Sequence, residues 1–223
     1  YRDEDFIAVD KPTGMVVHRT RIAEGAPPLL QALRDQIGRR VYPVHRLDRP
    51  TSGVLLFALS SEAARALGRR FEARDMDKRY WAVVRGYSDE QGLIDYPLAE
   101  TKGGPRQDAV TGYRRLATAE LPIPVGPHPS ARYSLVEARP ETGRMHQIRK
   151  HLRHIAHPII GDTTYCEGRQ NRLFREHLDS HRLMLFAREL RFDHPYTGEP
   201  VLIRAGLDGK TAEIFRRWGW PTE

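Results

Sequence analysis

Apolar positions along this chain fall into short groups whose spacing switches between two residues and three or four. Phe6 to Val9 reads as a short strand, stopped by Lys11-Pro12-Thr13-Gly14. Pro27-Pro28 opens a helix that carries Leu30, Leu33 and Ile37 on one face and closes at Gly38. The continuous apolar run Val54 to Leu59, bounded by Gly53 and Ser60, predicts a buried strand, because it is too short for a core helix. Ser60-Ser61-Glu62 then offers a serine cap and a first-turn carboxylate for a second helix. Its apolar residues are Ala64, Leu67 and Phe71, and Arg65, Arg69, Arg70 and Arg74 occupy the remainder. Tyr80, Ala82 and Val84 alternate with Trp81, Val83 and Arg85, a strand with two usable faces.

Glu100 to Ser130 gives the weakest pattern. Gly103-Gly104-Pro105 and the four prolines of LPIPVGPHPS predict a loop-rich excursion around a strand near Tyr113. Alternation resumes at Ala131 to Ala138. Met145, Ile148, Leu152 and Ile155 share one stripe of a third helix, Met145 to Ala156, and Thr211 is expected to cap a last helix with Ile214, Phe215 and Trp218. No repeat and no steady strand–helix alternation occurs. The pattern predicts an α+β fold in a single domain, residues 1–223.

Composition narrows the function classes. The chain has 223 residues with 36 Lys+Arg against 29 Asp+Glu, a formal charge of +7. The longest apolar run is six residues, where a membrane helix needs about 20. The start, YRDEDFIAVD, is acidic and unlike a secretory signal; it has no initiating Met, which leaves room for residues upstream. One cysteine, Cys166, allows no internal disulfide and fits a reducing compartment. The positive surplus suits a polyanionic partner such as RNA, although many soluble proteins are as basic without one.

Candidate chemistry concentrates in two segments. In His45-Arg46-Leu47-Asp48-Arg49-Pro50-Thr51-Ser52-Gly53 a single carboxylate lies between two arginines, in a tight turn ahead of a buried strand. The arginines favour the ionised carboxylate, which suits a nucleophile. An Asx turn or a surface ion pair fits the same residues. In Thr142 to Leu152 a helix would set His146, Arg149 and Arg153 in a basic stripe, with Arg149 at the margin of the apolar face. His146, His151, His154 and His157 raise a metal site, but no HExxH motif accompanies them. No P-loop, GxGxxG or GxSxG stands in the chain either.

Together these segments resemble a known family. HRLDRPTSGVLLFAL at 45–59, KRYWAVVRG at 78–86, TGRMHQIRKHL at 142–152 and the HPIIGD that follows are similar to the successive motifs of RluA-type pseudouridine synthases. EDFIAVDKPTGMVVH and HRLMLFA extend the likeness over nearly the whole chain, and YRRLATAELPIPVG with GDTTYCEGRQNR resembles the tRNA pseudouridine(65) synthase branch. The resemblance implies a large mixed, mostly antiparallel sheet flanked by helices with a central cleft. It implies Asp48 as the essential aspartate, Tyr80 as the active-site tyrosine and Arg149 as the basic residue paired with the aspartate. Arg46 matches the arginine that helps displace the target base, and Leu185 the hydrophobic segment of the uracil pocket, where Phe186 departs from a frequent histidine. No upstream RNA-binding domain is visible in the chain.

The implied reaction needs little equipment. Breaking N1–C1′, rotating uracil and joining C5 to C1′ gains and loses no atoms, so no cofactor or metal is called for. Attack on the base, attack on the ribose and elimination to a glycal all remain open to one carboxylate. The expected protein is a cytoplasmic monomer acting on RNA, tRNA first and ribosomal RNA second. A non-catalytic RNA-binding module and an N-glycosidic hydrolase are the competing classes. Residues 39–49 carry a net charge of +3 and residues 144–153 one of +4, so much of the surplus flanks the candidate residues.

Overall fold

Eleven strands and five helices are described in the computed structural model, which covers residues 1–18, 27–101 and 103–223. In chain order they are β1 (Phe6–Lys11), α1 (Leu29–Ile37), β2 (Tyr42–Pro43), β3 (Ser52–Ala58), α2 (Ser61–Glu72), β4 (Asp77–Arg85), β5 (Gln91–Asp95) and β6 (Leu98–Ala99). There follow β7 (Arg106–Gln107), β8 (Val110–Leu121), β9 (Ala131–Pro140), α3 (Gln147–His154), α4 (Gly168–Leu178), β10 (Leu185–Asp193), β11 (Pro200–Arg204) and α5 (Gly209–Arg217). The class is α+β, with a large, mostly antiparallel sheet and the separate pair β6–β7. Contacts divide the chain into two compact units, Tyr1–Lys78 with Ala187–Ala205, and Arg79–Phe186 with Gly206–Glu223.

In the first unit β1 runs antiparallel to β3, from Phe6 opposite Ala58 to Lys11 opposite Gly53. Every residue of β3 is buried, as a strand covered on both faces requires of an unbroken apolar run. Leu56, Val54, Phe6 and Leu67 of α2 meet Leu190, Phe192 and Ile203 in one core. The Ser60 hydroxyl accepts the Ala63 N–H at 3.0 Å and fixes the start of α2; Gly38, at φ 69°, ends α1. Gly53 has φ 113°, and a Cβ there would lie 2.2 Å from the Ala187 carbonyl oxygen, so only glycine fits at the head of β3.

The second unit is built on β4, β9, β8 and β5, each antiparallel to the next. Its core joins Val83, Leu135 and Tyr133 to Ile148 and Leu152 of α3, Phe174 of α4 and Phe215 of α5. The strand expected near Tyr113, within the loop-rich region from Glu100 to Ser130, is longer than its local pattern predicts and is joined by the short β7. β8 spans twelve residues because it is paired on both sides, and tertiary pairing overrides its weak local pattern. The prolines begin at Pro122, just beyond its last residue. Lys102, inside that expected loop, lies outside the described residues. α3 is shorter than expected, and α5 is capped by Asp208, whose carboxylate accepts the Thr211 N–H at 3.0 Å.

Candidate active site

Asp48 is carried by the turn between β2 and β3 of the first unit. The Thr51 N–H closes this turn on the Asp48 carbonyl at 3.0 Å. Lys11, fully buried, anchors the same loop: its Nζ donates to the carbonyls of Pro12, Met15 and Arg49 at 3.0, 2.8 and 3.1 Å. Arg49 returns a bond from Nε to the Gly14 carbonyl at 2.9 Å, and the Gly14 N–H donates to the Arg49 carbonyl. The loop is thus held on both sides by groups outside itself. Sequence reading missed Lys11; its signal is a lysine followed directly by a strand-breaking Pro-Thr-Gly. Arg46 is exposed, with no hydrogen-bond or ion-pair partner among the described residues.

His45 has a structural duty. Its Nε2 accepts the Leu56 N–H of β3 at 3.0 Å, and its ring stacks on Phe71 of α2 at 4.9 Å. Burial, then the charge of Lys78, pushes the imidazole down to about 3. The folded state therefore holds His45 neutral while the unfolded chain protonates it below about 6.5. Stability is expected to fall as pH drops from about 6.5 toward 3, by at most about 1.4 kcal/mol per unit from this group. Urea titrations across that range check it; His45→Gln should flatten the dependence, and equal slopes in both proteins would contradict the assignment.

Arg149 lies on α3 in the second unit and is only 5% exposed. Burying a guanidinium requires a matched anion, and Asp162, 1% exposed, supplies it. Nε donates to Oδ2 at 2.7 Å and Nη2 to Oδ1 at 2.9 Å, a two-point fork. Oδ1 also accepts the N–H groups of Thr164 and Tyr165 at 2.9 and 3.0 Å, and the Arg149 guanidinium sits 5.1 Å from the Tyr165 ring. Burial works against the ionised form of Asp162, but the Arg149 bonds and charge and the two N–H groups outweigh it and hold the carboxyl below its ordinary value. Sequence reading placed Arg149 inward and missed Asp162, although Gly161-Asp162 closes the quoted HPIIGD motif. Gly161 has φ 79°, and a Cβ there would be 1.8 Å from the Arg182 carbonyl oxygen, which fixes where Asp162 points.

The expected basic stripe does not form as drawn. His146 precedes α3 in a left-handed conformation, φ 57°, with its Nδ1 3.0 Å from the Tyr165 hydroxyl, while Arg153 is exposed. Gln147 is the residue that locks the start of α3: its amide donates to the Val110 carbonyl and Thr111 hydroxyl and accepts from Thr142 and the Arg144 N–H. Of the histidines weighed for metal, His151 has both ring nitrogens engaged, by the Thr111 hydroxyl and the Tyr96 carbonyl, and His157 is bonded to the Arg85 carbonyl. Asp3, Asp5 and His194 do converge, but His194 accepts the Tyr196 and Thr197 N–H groups on Nδ1 and faces the carboxylates with Nε2, a satisfied internal cluster. Burial raises the Cys166 thiol to about 11, so it stays protonated at neutral pH.

Tyr80 stands on β4 opposite Ala138 of β9 and packs, half-buried, against the core that contains Leu185. Leu185 and Phe186 open β10, both buried; the Arg182 guanidinium lies 4.6 Å from the Phe186 ring. Asp48 and Arg46 thus belong to the first unit, and Tyr80, Arg149 and Leu185 to the second.

Residues 5–154 match the family model described as RNA pseudouridylate synthase. The chain belongs to that family and is an RNA pseudouridine synthase, an isomerase. It is 50% identical to "tRNA pseudouridine synthase C" of Vibrio cholerae, over 99% of this chain and 95% of that protein. It is 47% identical to the protein of the same name from Salmonella typhi, over 99% and 89%. Among solved structures it is similar to "Human RNA Pseudouridylate Synthase Domain Containing 4", with a TM-score of 0.74 and 25% identity over 98% of this chain and 92% of that one. The human domain-containing 1 protein gives 0.72 and 28%, over 92% and 81%.

Proposed function

We propose that this chain converts one uridine of tRNA, that at position 65, to pseudouridine. The near-full-length identity to relatives named tRNA pseudouridine synthase C carries the reading. The 223 residues act as one catalytic domain, as a cytoplasmic monomer that uses neither metal nor cofactor, because the isomerisation moves atoms within one nucleotide. Among the described residues no helix is long and apolar enough to cross a membrane.

Asp48 is the nucleophile or essential carboxylate, on a loop anchored by Lys11 and Arg49. Tyr80 offers a ring to uracil and a hydroxyl for removal of the C5 proton. Arg149 is the basic residue that serves the reaction, and Asp162 keeps its guanidinium oriented. Arg46, exposed and without a partner among the described residues, is suited to fill the gap left when the base leaves its stack, a step costing a few kcal/mol. Leu185 backs the uracil pocket.

Tritium release from [5-³H]uridine-labelled tRNA tests the reading. Release with pseudouridine as product supports it; no release from a broad tRNA pool, or free uracil as product, overturns it. Mapping pseudouridine in cells with and without the gene tests the position, with a change confined to ribosomal RNA counting against tRNA. RNA affinity is further expected to fall by on the order of 100-fold or more between 50 and 200 mM salt, since phosphate contacts release counterions. A flat filter-binding response over that range would contradict it.

A further inference from the structure

The Asp162 carboxylate that orients Arg149 stands on a loop, and much of what shapes that loop is internal to it. Oδ1 accepts the N–H groups of Thr164 and Tyr165, and the Asp162 carbonyl accepts the Cys166 N–H at 3.2 Å. Bonds of that kind travel with the loop and do not fix where its carboxylate points. The sheet holds the chain just before it, where Ile160 bonds to the Val83 carbonyl and the Met184 N–H. Asn171, on α4 and 6% exposed, reaches the loop itself from another element. Its Oδ1 accepts the Gly161 N–H at 2.8 Å, and its Nδ2 donates to the Asp162 carbonyl at 3.0 Å. The left-handed turn at Gly161, φ 79°, presents both backbone groups to this one side chain.

A planar amide carries a donor and an acceptor on one rigid group, as a backbone N–H and a carbonyl turned the same way require. A carboxylate at position 171 would set an acceptor against the Asp162 carbonyl. An aliphatic side chain there would leave the Gly161 N–H without its acceptor and the Asp162 carbonyl with one bond fewer. The platform behind Asn171 is fixed separately. Leu173, Phe174 and Leu178 of α4 are buried, and Phe174 packs edge-on against Tyr133 of β9 at 5.1 Å. The Gln170 side-chain oxygen accepts the Tyr133 hydroxyl at 2.9 Å. A helix docked on the sheet thus dictates the Asp162 backbone, and Asp162 dictates the Arg149 fork.

We infer that Asn171 is a positioning residue for the isomerisation: by bracketing the Gly161 N–H and the Asp162 carbonyl, it sets the angle at which Arg149 is presented to the reaction. The inference rests on the assignment of Arg149 to the tRNA-isomerase reaction above. It extends the machinery to α4, which carries none of the residues assigned there.

The test uses the full chain and compares two neighbours on α4. Asn171→Leu keeps the size of the side chain and removes both bonds, whereas Gln170→Met removes the Tyr133 bond and leaves the loop alone. Both should lower the urea midpoint. Tritium release then gives kcat and KM for tRNA at a temperature where each protein is fully folded. Asn171→Leu is expected to lower kcat by about 10- to 100-fold, since a misplacement of about 1 Å costs on the order of 100-fold. KM should stay within about threefold, because the lost alignment acts on the chemical step. Asn171→Asp, which keeps an acceptor for Gly161 and loses the donor, should lower kcat in the same way. Gln170→Met should keep kcat within about twofold. With ¹⁵N-labelled arginine, the Arg149 Nε–H should exchange with solvent about tenfold faster or more in Asn171→Leu, and at the native rate in Gln170→Met. Native kcat or native Arg149 exchange in Asn171→Leu overturns the inference, as do equal losses of kcat at the two positions. Failure of both Asn171 variants to fold overturns it too, by making Asn171 part of the framework alone. If the native protein releases no tritium from tRNA, the functional reading fails, while Arg149 exchange still reports whether Asn171 orients the fork.

Discussion

Asp48→Asn is expected to abolish tritium release from [5-³H]uridine tRNA, by on the order of 10⁴-fold or more, while the protein stays folded and binds tRNA as before. The magnitude follows from the chemistry: an amide has neither the charge nor the nucleophilicity of a carboxylate, and the isomerisation recruits no cofactor to replace it. Intact folding follows from the structure. The turn is closed by the Asp48 carbonyl, and the loop is anchored by Lys11 and Arg49, so an isosteric side chain leaves those bonds in place. Turnover retained within tenfold would remove Asp48 from the reaction and favour the non-catalytic class. A collapse of thermal stability would instead give its carboxylate a structural role.

Asp162→Ala should have the largest effect on stability. It strands a buried guanidinium, and breaking such a pair by removing one partner costs about 3–5 kcal/mol. Urea denaturation should show this as a lowered midpoint at unchanged slope. Asp162→Asn should cost less, because its side-chain oxygen can still accept the Thr164 and Tyr165 N–H groups. The double variant Arg149→Met with Asp162→Leu should recover much of the stability and none of the activity. That split matters because Arg149→Ala alone loses both. A single Asp162→Ala change costing under about 1 kcal/mol would mean that the pair is effectively solvated. Acid should act in the same direction on this pair: Asp162 has a lowered pKa, so its contribution is complete above the ordinary carboxylate range and is lost as pH falls below it.

Elements set by local rules were legible from sequence. Ser60 caps α2 and Gly38 ends α1 as read, because capping depends on a few adjacent residues. β3 was legible because an unbroken apolar run bounded by a glycine has few other solutions. β8 was legible only as a strand near Tyr113; its twelve-residue length was not, since its residues alternate weakly and are held by partners far away in sequence. α4 went unread for a related reason: Leu173, Phe174 and Leu178 acquire a shared inward face only against Tyr133 and Trp218. His146 looked helical by spacing, yet its left-handed backbone and bond to Tyr165 put it before the helix.

The same division holds for function. Residue order by itself determined the family, the α+β class and the aspartate between arginines on which the proposed reaction centres, because motifs are local and their residue types carry the chemistry. Only the tertiary structure decided that Arg149 is buried against Asp162, that Lys11 and His45 hold the Asp48 loop and its strand, and that Arg106 and Lys150 line one pocket. Those partners lie 13, 38, 11 and 44 positions apart along the chain, and a charge cannot declare from its neighbours in sequence whether it will be buried. Burial decides what each polar group must find, and burial is a property of the folded chain.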